Sequence, residues 1–274
     1  MVGGLGPSTS GVVVSATASA RPVLTFRNFS LRCDKSDPRI SFKVPWNWEI
    51  PHGKKIAIIT NSSFLRYQLI AGIAGLVPPV SGDLIAGGVV GWPVGGSGGL
   101  DSKLRISHSL NFLKIVYGDC LERSCVSLDE FWALLLGQSI HPDLTIKELS
   151  KDQKEFFYLA LSVLFSFDCY LFPQSKFLMS KAARQLRKLL LKQVEGKTII
   201  ATSSNGRFRS DFCSEGLVLN PYGGILYSGG LSESIEWAKS NLKLSDDLEK
   251  EDEQLQMGLD LQNASDDLLS LEDM

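Results

Sequence analysis

GKKIAIITNSSFLRYQLIAGIAGLVPPVSGDLIAGG, residues 53–88, decides the reading of the fold. Lys55–Thr60 is a short apolar run bounded by charge and turn residues, the pattern of a strand buried on both faces of a parallel sheet. Thr60-Asn61-Ser62-Ser63 makes a tight turn, and Phe64–Ala74 has helical spacing. Pro78–Asp83 is a turn cluster that leads to a further strand at Leu84–Ala86.

The same alternation continues outward. Val23–Leu31 reads as an edge strand, and Ile40–Ile50 as another, interrupted by Pro45. Gly91–Leu100, GWPVGGSGGL, reads as a glycine-rich loop, and since no helix start follows its glycines directly it need not cradle phosphate. Residues 106–118 and 127–137 read as helices, and Leu149–Phe165 as a long apolar one. Phe156–Phe172 is near the lower length for a membrane span, but Asp168 interrupts it. A buried helix followed by a central strand, Cys169–Phe172, is the better reading. Ser180–Val194 is an amphipathic basic helix with Leu186, Leu189 and Leu190 on one side and Arg184, Arg187, Lys188 and Lys192 on the other. Thr198–Thr202 is a second buried strand, and Gly216–Leu219 pairs with Gly224–Tyr227 around a turn. Strands alternating with helices predict an α/β fold with a mostly parallel sheet and helices on both faces.

Three segments follow: a flexible tail over 1–22, a domain over 23–240 with a helical part at about 100–165, and an acidic tail over 241–274. The first tail has no positive charge before Arg21 and its Val12–Val14 run is too short for a signal-peptide core, although its ATASA stretch leaves a targeting role open. The last carries eleven acids against two lysines, so the net charge of −2 conceals a body of +7. That surplus is too small to argue for nucleic acid. Leu244, Leu248, Leu255 and Leu259 lie among the acids, so the tail is either solvated or a docking segment for a basic surface. Five cysteines without C-x-x-C fit a reduced, cytosolic setting, and His52, His108 and His141 lack metal-ligand spacing, so no metal site is expected.

The strand, the turn and the "IAG-L-x-PP-x-SG" corner of residues 53–88 resemble the start of an ABC-type ATPase domain, and the resemblance runs over about residues 23–240. Trp92-Pro93 with Gly95-Gly96 and Gly98-Gly99, then Ser107–Phe112 and Tyr117-Gly118, resemble the capsular-polysaccharide export ATPases, which carry a "WP-x-G-x-x-GG" loop and a "TGR-x-N-x-x-F…YG" helix. Ala160–Leu171 is similar to their "ALSMAFDFDxYL", and Phe212-Cys213 with Leu217–Asn220 to their "FCD…VLN". The resemblance implies the P-loop NTPase fold with antiparallel strands in its N-terminal part and a helical subdomain. It also implies ATP and Mg²⁺ as ligands, a head-to-tail dimer, and partnership with a membrane-spanning exporter subunit or an intact ATPase subunit at the inner face of the cell membrane.

The residues at the family's working positions depart from its chemistry. A phosphate loop needs glycines, a Lys and a Ser/Thr for Mg²⁺. Here Thr60, Asn61, Ser62, Ser63 and Phe64 form a loop about three residues short, with Ser63 at the lysine position and Phe64 at the magnesium hydroxyl. The degenerate signature loop is Ser150, Lys151, Asp152 and Gln153, whose Asp152 would repel a γ-phosphate, and Ser150 with Gln153 also satisfies a helix capping box. Pro173 stands for the Mg²⁺-linked Asp, Gln174 for the catalytic Glu and Ser204 for the switch His. Gln cannot act as a general base. ATP and Mg²⁺ are therefore expected to bind weakly if at all. Three readings stand open: a non-hydrolysing ABC subunit of a polysaccharide exporter, a repurposed scaffold or regulator without a nucleotide, and an ATPase with unusual ligands.

Overall fold

The computed structural model describes residues 21–242; both tails read from the sequence lie outside the described residues, except Arg21, Pro22, Asn241 and Leu242. Two sheets form the frame. The smaller is antiparallel, in the order β2 (Trp46–Ile50), β1 (Leu24–Ser30), β4 (Ser81–Ala86). β1 is thus the middle strand and not the expected edge. Its alternation is loose because the register shifts between Phe26 and Phe29, with Asn28 at φ 48°, so both rings reach the core although they are three residues apart. The Asn28 N–H donates to Asn47 Oδ1 at 2.8 Å and holds this bulge.

The larger sheet runs β5 (Val90–Pro93), β6 (Cys169–Phe172), β7 (Thr198–Ala201), β3 (Lys55–Ile59), β8 (Glu215–Leu219), β9 (Ile225–Gly230). All neighbours are parallel except β9 against β8. Buried on both faces, its central strands read as unbroken apolar runs. Val90–Pro93 is a strand, so the glycine-rich segment is a loop only from Val94 on. Three of its glycines, Gly95, Gly98 and Gly99, take positive φ, which L-residues avoid.

The helix α1 (Ser63–Ile73) packs between the two sheets: Leu65, Leu69, Ile70 and Ile73 share one core with Ile56, Ile58 and Ile200 and with Phe26, Phe29 and Trp46. The opposite face of the large sheet, through Ala57, Tyr170, Phe172, Ile199 and Ala201, packs under α5 (Lys151–Leu164) and α7 (Arg184–Gln193). The helices α2 (Ile106–Val116), α3 (Gly118–Glu122) and α4 (Leu128–Leu136) pack around α5. The apolar stretch 156–172 divides as expected, with α5 ending at Leu164 and β6 starting at Cys169. Among the described residues no helix is long and apolar enough to cross a membrane. The remaining helices are α6 (Lys176–Met179), α8 (Gly206–Phe212) and α9 (Leu231–Asn241).

Candidate functional site

Because β3, β6 and β7 are parallel neighbours, their carboxyl ends share one edge of the sheet. The loops that leave them, from Thr60, Pro173 and Thr202, meet there. The first is wired to itself. Ser62 N-caps α1, its Oγ accepting from Leu65 N–H at 3.2 Å and its carbonyl from Arg66 N–H at 3.1 Å. Thr60 is buried and its Oγ1 accepts from Ser62 N–H. The side chain therefore takes up a helix N-terminal donor that a bound anion would otherwise use. Ser63 opens the helix, and Phe64 is half-buried behind it.

The other two loops are bound to each other. Thr202 N–H donates to Phe172 O at 2.9 Å and its hydroxyl to Pro173 O at 3.2 Å. Ser175 Oγ and Ser203 Oγ lie 2.7 Å apart, both residues buried. Ser203 Oγ also accepts from Asn205 N–H, and its carbonyl accepts from Arg209 Nε at 2.7 Å. Asn205 then caps α8 through Phe208 N–H. Gln174 and Ser204 are half-buried. Two polar atoms at this edge, Asn61 Oδ1 and Ser204 Oγ, are buried and hydrogen-bonded to nothing among the described residues.

The fourth segment stands apart. Ser150 Oγ accepts from Gln153 N–H, Gln153 Oε1 accepts from Ser150 N–H at 3.0 Å, and Gln153 Nε2 donates to Gln138 O at 3.0 Å. This is the capping box that the sequence indicates. Lys151 and Asp152 point into solvent.

Comparison with known proteins agrees with the fold. No family model matches the chain. The polysialic acid transport ATP-binding protein KpsT of Escherichia coli is 27% identical over 195 residues, covering 70% of this chain and 87% of its own. The capsule polysaccharide export ATP-binding protein CtrD of Neisseria meningitidis serogroup B is 25% identical over 174 residues, 63% of this chain and 79% of its own. A solved ATP-binding subunit of an ABC transporter superposes with a TM-score of 0.58 at 16% identity, over 84% of this chain and 98% of that one. The fold is the ABC ATPase fold, and the homologues are capsule-polysaccharide export ATP-binding proteins.

An ABC ATPase fold holds Mg²⁺·ATP with charge, so the donor set can be tested against that ligand. Residues 60–64, 173–175 and 202–205 contain no ionisable side chain. A hard divalent cation needs carboxylate or other oxygen ligands around it, and a triphosphate needs cations and free N–H groups. The three loops supply neither carboxylate nor cation, only hydroxyls and amides, several already paired with one another, and the Arg209 guanidinium that reaches them is engaged on Ser203 O. These residues do not fit the ligand. A cleft of about 100 Å³ does exist, lined by Trp48, Lys54, Glu215 and Ser228, but at the amino ends of β3 and β8, on the opposite edge of the sheet.

Asp168, the one charged residue of the Phe165–Leu171 segment, serves structure in this ABC ATPase fold. Asp168 accepts from Val89 N–H at 2.9 Å, from Arg123 at 3.3 Å and from Lys197 at 3.4 Å. Burial alone would raise its pKa, but the Val89 N–H and the two cations outweigh it and hold the carboxyl below the usual range. The knot ties α3 to the starts of β5, β6 and β7. Trp92 does the same nearby: its Nε1 donates to Ser162 Oγ at 3.2 Å while its ring meets Tyr117, Phe165 and Phe167 edge-on.

Sequence reasoning overlooked Ser175 and Ser203, which join the two loops. The available signal was a pair of serine-containing stretches, each directly after an apolar strand. It also overlooked Arg66, buried at 2% exposure and the one charged residue within 63–74.

Proposed function

We propose that the chain is a non-hydrolysing subunit of a polysaccharide export system, built on the ABC ATPase fold. Its homologues are capsule-polysaccharide export ATP-binding proteins, and that role is carried over to it. The observation that carries the non-hydrolysing part is the uncharged edge. Thr60–Phe64 supplies no lysine, Pro173 and Gln174 supply no carboxylate, and Ser204 supplies no imidazole. Loss of one charge-stabilising group costs about 10²–10³ in rate, and here all are absent at once. In this reading ATP and Mg²⁺ are not turned over, and residues 150–153 form a capped helix start with little to offer a partner's γ-phosphate.

The partner is a membrane-spanning exporter subunit, and the chain works from the inner face of the membrane, alone or paired with an intact ATPase subunit. The support is α2. Its Phe112, Ile115 and Val116 are 50%, 84% and 52% exposed, an apolar stripe along one face of the helix. Contiguous exposed apolar surface marks interaction sites. The domain spans 23–240, with the helical part at about 100–165 carrying this face.

A second reading, a scaffold that never meets nucleotide, is favoured by the self-bonded Thr60–Ser62 turn. Phosphate release from Mg²⁺·ATP by the purified chain tests the proposal. No turnover above buffer is expected. Turnover that falls on changing Ser62→Ala or Gln174→Ala would reject it.

A further inference from the structure

Residues 169–194 hold six cations, Lys176, Lys181, Arg184, Arg187, Lys188 and Lys192, and no acid. Within α7 the buried side is Leu186, Leu190 and Gln193. Arg187 is spent internally, its Nη1 donating to Leu178 O at 2.9 Å and Ser180 O at 3.3 Å. Arg184, Lys188 and Lys192 recur every four residues on the outer face, all exposed, with Leu191 39% exposed among them. Among the described residues none of these three is in an ion pair. Like charges at four-residue spacing destabilise a helix, so the stripe has no reason internal to α7.

One segment of the same chain complements it. Residues 243–274 carry eleven acids and two lysines, with leucines at 244, 248, 255 and 259. They begin one residue after α9 closes at Asn241–Leu242. α9 packs on Ile59 and Val218, and α7 packs on the cluster that contains Ala57. Ala57 and Ile59 are two apart on one strand, so both helices cover the same face of the sheet. The six strands are about 24 Å across, and 32 residues can extend about 100 Å, so the segment reaches α7 without crossing the molecule.

We propose that the acidic segment 243–274 docks on the Arg184–Lys188–Lys192 face of α7 in its own chain, its carboxylates against the cations and a leucine against Leu191. Docked there, it screens the stripe from other anionic surfaces.

Carbodiimide cross-linking of the monomeric full chain, read by mass spectrometry, is the test. Lys188 or Lys192 should join acids within 243–274 in the same chain. The links should vanish in 1 M NaCl, where charge is screened beyond about 3 Å. Cleavage of the segment by a glutamate-specific protease gives a second readout. The variant Arg184→Gln/Lys188→Gln/Lys192→Gln should be cut about tenfold faster than wild type. A Lys35→Gln/Lys103→Gln control should not. Links that fall on other lysines, links only between chains, or equal cleavage of the stripe variant would overturn the proposal. So would undiminished binding of the full chain to phosphatidylglycerol vesicles through the same stripe, which would assign the face to a lipid surface.

Discussion

Ser175 Oγ and Ser203 Oγ are 2.7 Å apart and buried, which joins the loop after β6 to the loop after β7 at the edge where an ABC ATPase fold does its chemistry. Each hydroxyl partners the other, whereas the neighbouring Ser204 Oγ is left buried without a partner among the described residues. Changing either serine to alanine breaks this bond and should cost about 1–2 kcal/mol. The double variant should cost less than the two single losses together, with a coupling of about 1 kcal/mol. Urea unfolding of the four proteins measures this.

Restoring carboxylates should not restore turnover. Pro173→Asp with Gln174→Glu supplies the two acids, yet Thr60–Ser63 still lacks the lysine and its cap still occupies Leu65 N–H. Phosphate release by this variant should stay at the level of the buffer.

How much of this was legible in the sequence depended on the kind of signal. The parallel strands were readable because burial on both faces leaves nothing but apolar residues, as in Cys169–Phe172 and Thr198–Ala201. The position of β1 was not, because strand order is set by pairing with β2 and β4, far away in the chain, and its bulge blurs the alternation. Val90–Pro93 was hidden by the glycines around it, since its strand character comes from pairing with β6. At the candidate site the missing charges could be listed residue by residue. The Ser175–Ser203 bond could not, since it links residues 28 apart whose meeting depends on strand register.

Asp168 should set the acid limit of the fold. Its carboxyl is held below the ordinary value, so its contribution is fully present above about pH 4 and is lost as pH falls through the lowered value. Asp168→Asn removes the charge that Arg123 and Lys197 face and should cost about 1–2 kcal/mol at pH 7. As pH falls through that lowered value wild type and variant should converge, which thermal melts across the acid range would record.

The thiols give an independent check on packing. Cys125 is exposed while Cys33, Cys120, Cys169 and Cys213 are buried. Burial pushes the Cys33 thiol up to about 11 and those of Cys169 and Cys213 up to about 12. At pH 8 a disulfide reagent should therefore titrate one thiol quickly in the native protein and all five in denaturant. Because unfolding returns the buried thiols to their ordinary value, stability should decline as pH rises from about 9 towards 12.

Titration calorimetry of the purified full chain with Mg²⁺·ATP bears most directly on whether the carboxyl edge of β3, β6 and β7 has given up its nucleotide. An uncharged, self-bonded edge should give no saturable heat up to millimolar ATP. Saturable micromolar binding that is lost on changing Ser62 or Ser63 would contradict it and return the chain to the nucleotide-driven subunits.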